Sequence, residues 1–152
     1  MSATAIDVPE HLTVADFAVR RAATTRWSDN DMYGHLNNAV YYQLFDAAIN
    51  SWLIEQSGFD PVTSPTLGVV LESGCRYFEQ LGFPQELEVG IRVSRLGRTS
   101  VTYDLGLFRA DAAKNASVAA RGRWVHVYVD RDTRRPVPIP AELRRLFDAV
   151  AG

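Results

Sequence analysis

The sequence predicts an α+β chain, one antiparallel sheet packed on a single long buried helix. Three observations predict it. A weak strand-like run precedes an apolar stretch of helical period. Four long alternating runs follow that stretch. The turns between those runs are short, as antiparallel neighbours require. A length of 152 residues suits one domain, 1–152, with one core.

The elements follow in order. Residues 1–15 carry Pro9 and little periodicity, and read as a loose arm. Phe17 to Trp27 alternates weakly and predicts a strand. A polar decapeptide, DNDMYGHLNN, occupies 29–38. From Ala39 to near Gly58 the apolar spacing predicts one helix, with Asn37 or Asn38 as N-cap, since a short amide oxygen accepts an orphan backbone N–H. Tyr41, Phe45, Ala48 and Trp52 form its stripe, and Tyr42, Leu44, Ile49 and Leu53 widen it. So broad an apolar face belongs to a helix buried on most sides. Phe59 to Thr66 is a loop broken by Pro61 and Pro65.

The rest reads as β until the tail. Leu67, Val69, Leu71 and Tyr77 share one parity of the first run, and GFP at 82–84 is a turn. Leu87, Val89, Ile91 and Val93 alternate with Glu88, Gly90, Arg92 and Ser94, a half-buried strand. Gly97-Arg98 turns the chain into Val101, Tyr103, Leu105 and Leu107. Asp111 to Asn115 is a hairpin loop. The last run, Val118 to Asp130, is bulky on both faces, which suits a central strand or a subunit contact. Residues 131–152 form a Pro-rich tail in which AELRRLFDAV predicts a short helix.

Composition excludes some classes. The chain is 47% hydrophobic and 22% charged with a formal charge of −2, so neither a nucleic-acid nor a membrane surface is expected. All basic residues but Lys114 are Arg, which a composition bias explains as readily as phosphate recognition. The single cysteine, Cys75, permits no internal disulfide and fits a reducing cytoplasm. No signal peptide and no membrane-spanning run of about 18 apolar residues is read.

The chemistry concentrates in the decapeptide. Its D-x-D-x-x-G opening is like a calcium loop, but such a loop needs an oxygen ligand and a Glu where Tyr33 and Val40 stand, so no metal is expected. No G-x-S-x-G is present. Cys75 within a strand reads as a buried thiol, and His126 on a strand face as a hydrogen-bonded packing residue. What remains is a carboxylate, Asp29 or Asp31, just before a helix N-terminus. That terminus can hold an oxyanion, and the carboxylate can act as base or nucleophile on a reactive acyl compound such as a thioester. The residues alone favour the competing account, in which both aspartates are turn and capping groups.

RWSDNDMYGHLNNAVYYQLFDAA resembles the motif region of hotdog-fold acyl-CoA thioesterases of the 4-hydroxybenzoyl-CoA thioesterase type. The similarity continues weakly through the strands to about residue 140. The resemblance implies a hotdog fold, with an antiparallel sheet of five to six strands wrapped around one long central helix. It also implies a homo-oligomer, dimer or tetramer, with interface active sites and no cofactor. By motif position Asp31 becomes the catalytic carboxylate and the backbone N–H near Asn38 the oxyanion hole. Asp29 becomes structural, and His35, Asn37 and Asn38 order the turn or position substrate. The acyl-CoA arm is expected to meet Arg98, Thr99 and Ser100 at a strand turn, with Arg76 and Arg92 as weaker candidates. For any single Arg an ordinary solvated strand-end charge competes with this role. Tyr41 and the helix aromatics suggest an acyl or aryl pocket, although core packing uses the same residues. Related hydratases place an Asp and a His five apart in D-x-N-P-x-H, a spacing and proline this chain lacks. Acyl-CoA hydrolysis is therefore the expected activity; a hotdog hydratase or dehydratase and a non-catalytic acyl-CoA-binding protein are the alternatives.

Overall fold

The computed structural model describes residues 12–151. Its elements are β1 (Val19–Ala23), α1 (Asn38–Ser57), β2 (Thr66–Tyr77), β3 (Leu87–Leu96), β4 (Ser100–Arg109), β5 (Ala120–Asp130) and α2 (Ala141–Val150). The five strands form one antiparallel sheet in the order β1-β3-β4-β5-β2.

α1 starts where Asn37 Oδ1 accepts the Ala39 N–H at 2.9 Å. It ends at Gly58, whose φ of 72° lies in the left-handed region that glycine adopts without a Cβ clash. Its buried residues, Val40, Tyr41, Phe45, Ala48, Ile49, Trp52 and Leu53, lie against the inner faces of the strands. Those faces present Leu87, Val89, Ile91 and Val93 from β3, Val101, Tyr103, Leu105 and Leu107 from β4, and Trp124 and Tyr128 from β5. Gly122 leaves room for the Phe45 ring, which a Cβ there would meet at 2.9 Å. α2 closes one end of this core with Leu143 and Phe147, and the Phe147 ring lies 6.3 Å from Trp52 and 5.9 Å from Tyr103.

Several expectations need correction. The run at Phe17 shortens to β1, because Trp27–Asp29 winds into a 3₁₀ turn. Residues 1–11 of the arm lie outside the described residues, but Leu12 and Val14 are not loose. With Phe17 they form a second small cluster against Phe108 and Val118 on the sheet's outer face. The runs after α1 are not all sequential neighbours, for β2 pairs with β5 and β3 pairs with β1. Leu67, Val69, Leu71 and Tyr77 do not share a face either. A bulge between Val70 and Glu72 inserts one residue and reverses the alternation, leaving Leu71 69% exposed.

β2 is the edge strand beside β5, and Val70, Leu71, Tyr77 and Phe78 on and beyond it are exposed. Among the described residues no helix is long and apolar enough to cross a membrane.

Candidate active site

The decapeptide folds as consecutive turns, each using one of its polar groups. Asp29 ends the 3₁₀ turn and is buried. Its carboxylate accepts the Arg26 N–H at 2.7 Å and the Arg26 guanidinium at 2.9 Å, and its carbonyl accepts the Asn37 N–H at 2.9 Å. The Arg26 side-chain bond, ahead of all other causes, holds this carboxyl below the usual carboxylate range. Asp29 is thus engaged in building the loop.

Asp31 is arranged differently. Its N–H donates to the His35 carbonyl at 2.8 Å, and its Oδ1 accepts the Tyr33 N–H at 2.8 Å and, more weakly, the His35 N–H at 3.5 Å. Its Oδ2 has no hydrogen-bond partner among the described residues. Gly34, at φ 81°, lets the chain reverse between Asp31 and His35. Leu36 then buries itself, and its N–H donates to the Leu81 carbonyl at 2.8 Å.

The head of α1 follows. The Asn37 N–H goes to Asp29, the Ala39 N–H to Asn37 Oδ1, and the Val40 N–H to the Asn37 carbonyl at 2.9 Å. The Asn38 N–H has no acceptor among the described residues. An unpaired amide at the positive end of a helix of 20 residues attracts negative charge. A cleft of about 560 Å³ opens beside it, lined by Asp31, His35, Asn38 and Tyr41, four of the residues the sequence singled out.

The same cleft is lined by Tyr77, expected only as a strand residue, and by Phe78. The bulge in β2 hid them: with the alternation reversed, Tyr77 turns toward the helix rather than following Leu67 and Val69. Its ring stands edge-on to Tyr41 at 4.8 Å and 87°. The aromatic spacing was visible in sequence; the reversal was not. Nearby Cys75 is a poor nucleophile, because burial pushes its thiol up to about 11.

Other predicted site residues lie elsewhere. Arg98, Thr99 and Ser100 sit at the β3–β4 turn, where the Arg98 carbonyl accepts the Ile139 N–H at 3.0 Å and the Thr99 carbonyl accepts the Tyr128 N–H at 2.8 Å. Ser100 pairs with Val127, whereas Tyr77 pairs with Ala120, which in turn pairs with Leu107. These three residues and the cleft are therefore at opposite ends of the sheet in one chain. Arg76, paired with Arg121, lies on the other face of β2 from Tyr77. The Asn37 side chain is taken up by capping. His126 is a packing residue, but its buried Nδ1 has no hydrogen-bond partner among the described residues, and burial lowers its pKa to about 4. Among the described residues no three His, Cys, Asp or Glu side chains gather as ligands for an ion.

Known proteins share this chain's fold. The PA5185 protein of Pseudomonas aeruginosa is 43% identical, with a TM-score of 0.88 over 93% of this chain and 97% of that one. A predicted thioesterase from Bacillus stearothermophilus is 26% identical, with a TM-score of 0.72 over 88% of this chain and 96% of that one. The uncharacterized protein YsmA of Bacillus subtilis is 27% identical over 97 residues, 64% of this chain and 65% of its own length, so the match spans a little under two thirds of that relative. The model of the thioesterase-like superfamily matches residues 25–147. With that match over most of its length, and with a five-stranded antiparallel sheet packed on one long helix, the chain belongs to the thioesterase-like superfamily and has its hotdog fold.

Proposed function

We propose that this protein hydrolyses an acyl- or aryl-CoA thioester to the free carboxylic acid and CoA. Asp31 takes a proton from water as it adds to the thioester carbonyl, or attacks that carbon itself to form a mixed anhydride that water then hydrolyses, freeing the acid and restoring the carboxylate. The carbonyl oxygen becomes an oxyanion held by the Asn38 N–H, and the C–S bond breaks to release the CoA thiol. His35 orders the turn that presents Asp31, and Tyr41 forms the inner wall toward the acyl group.

One observation carries this reading. Among the described residues, the Asn38 N–H at the head of α1 lacks an acceptor while its neighbours are paired, and Asn38 lines the same cleft as a carboxylate with one oxygen uncommitted.

The working unit is a homo-oligomer in this reading. The exposed apolar residues of β2 and its unpaired edge favour pairing with a second copy. Such pairing would bring Arg98, Thr99 and Ser100 of one chain toward the cleft of another, where they would meet the CoA phosphates. Arg76 stays with the weaker phosphate contacts, and Asn37 borders the substrate through its cap.

The test is a panel of acyl-CoA esters assayed for released thiol. The wild type should turn over at least one ester, and Asp31→Asn should lower kcat by about a hundredfold or more while remaining folded. Loss of enoyl-CoA absorbance without thiol release would replace hydrolysis by hydration. Saturable ester binding without either reaction would leave only a binding protein.

A further inference from the structure

We infer that Tyr77 is a positioning residue whose hydroxyl fixes the first peptides of α1 and so aims the Asn38 N–H into the cleft. This inference rests on the hydrolase reading above.

The geometry is specific. Tyr77 Oη donates to the Asn38 carbonyl at 3.1 Å. The other polar end of that peptide, the Ala39 N–H, is held by Asn37 Oδ1 at 2.9 Å. The peptide before it is held through the Asn37 carbonyl, which accepts the Val40 N–H at 2.9 Å. A trans peptide is planar, with its N–H opposed to its C=O, so fixing the two peptides that flank Asn38 fixes the direction of its amide. Of these three bonds, only the one from Tyr77 comes from outside the turn and helix.

Tyr77 itself is well anchored. It is the last residue of β2, and just beyond it the N–H groups of Phe78 and Glu79 both donate to the Ala119 carbonyl, at 2.8 and 3.0 Å. Four residues on, the Leu81 carbonyl accepts the Leu36 N–H at 2.8 Å. The segment from Tyr77 to Leu81 therefore grips the helix head on both sides of Asn38. Edge-on packing against the buried Tyr41 ring sets the orientation of the phenol. A phenol is un-ionised at working pH, so Tyr77 serves as a hydrogen-bond donor. Packing alone would be met by Phe; the hydroxyl adds the bond to the carbonyl.

The experiment compares full-length wild type with Tyr77→Phe. The first readout is backbone hydrogen exchange in the free protein. Exchange at Ala39 and Val40 should quicken about fivefold, the loss expected for one hydrogen bond, with the protein remaining folded. The second uses an ester that wild type hydrolyses and Asp31→Asn does not: kcat should fall by about five- to tenfold with KM within about twofold, the signature of an interaction made in the transition state. Unchanged exchange at Ala39 and Val40 overturns the inference. So does faster exchange with unaltered kcat, or a change confined to KM. If wild type releases thiol from no ester, the hydrolase reading falls and takes the catalytic consequence with it. The exchange readout, which needs no substrate, still decides whether Tyr77 holds the helix head.

Discussion

At the scale of single residues, two neighbouring aspartates of one motif are separated by what each is bonded to. Asp29 is buried with its carboxylate on Arg26, so Asp29→Asn should chiefly destabilise, by about 1–3 kcal/mol in urea unfolding, and slow turnover less than Asp31→Asn does. His126 gives a second prediction. Burial lowers its folded pKa to about 4, whereas an unfolded chain binds the proton near the ordinary histidine value of 6.5. Between those values the unfolded state holds more protons, so the contribution to stability is complete above about 6.5 and declines as pH falls toward 4. Unfolding free energy should drop by about 2 kcal/mol from pH 7 to pH 5 through this group, and His126→Phe should flatten that slope. Arg121 gives a third. It is 1% exposed, and none of its guanidinium nitrogens has a hydrogen-bond partner among the described residues. Arg121→Met should therefore raise stability, by about 1–3 kcal/mol on the same measurement. The motif made Asp31 and Asn38 legible in sequence. It could not reveal that the Asn38 amide is left without an acceptor among the described residues, because that depends on where three neighbouring donors find acceptors.

At the scale of elements, α1 was readable almost to the residue because its signals are local: an Asn cap, a broad apolar stripe and a terminal glycine. β3 and β4 were readable because their apolar alternation is unbroken through Leu87–Val93 and Val101–Leu107, the irregularity of β3 falling beyond it between Val93 and Arg95. β2 was not, since a bulge is one inserted residue whose only trace is a change of parity, and the apolar pattern of this strand is too sparse to reveal it. At the end of the arm, the packing of Leu12 and Val14 was not legible because these apolar residues have no period. Their place is set by the sheet's outer face, where Phe17 lies over Gly90 and Gly106 so closely that an added Cβ would stand 2.4 and 2.9 Å from its ring. Gly90→Ala should consequently cost about 1–3 kcal/mol in thermal or urea unfolding, by pushing the arm off the sheet. An unchanged midpoint would mean that Phe17 is not seated there.

For the whole molecule, strand order was the least legible property. Sequence shows which runs are strands, but short connections suggested that consecutive runs are neighbours. Here the segment after β2 crosses to the other part of the sheet, and α1 separates the two edge strands in sequence. The crossing makes β2 an edge and places the cleft at its end. It also separates Asp31 from Arg98. Ten residues of β4 span roughly 33 Å at strand rise, far more than any side chain bridges. If one ester is held by both regions, the two halves of its site come from different copies. Asp31→Asn and Arg98→Ala, each weak when assayed alone, should then regain activity on co-refolding, because some mixed pairs carry one intact half-site from each parent. That restored fraction, at most one undamaged centre per mixed pair, would register in a simple blending series as a maximum near equal proportions.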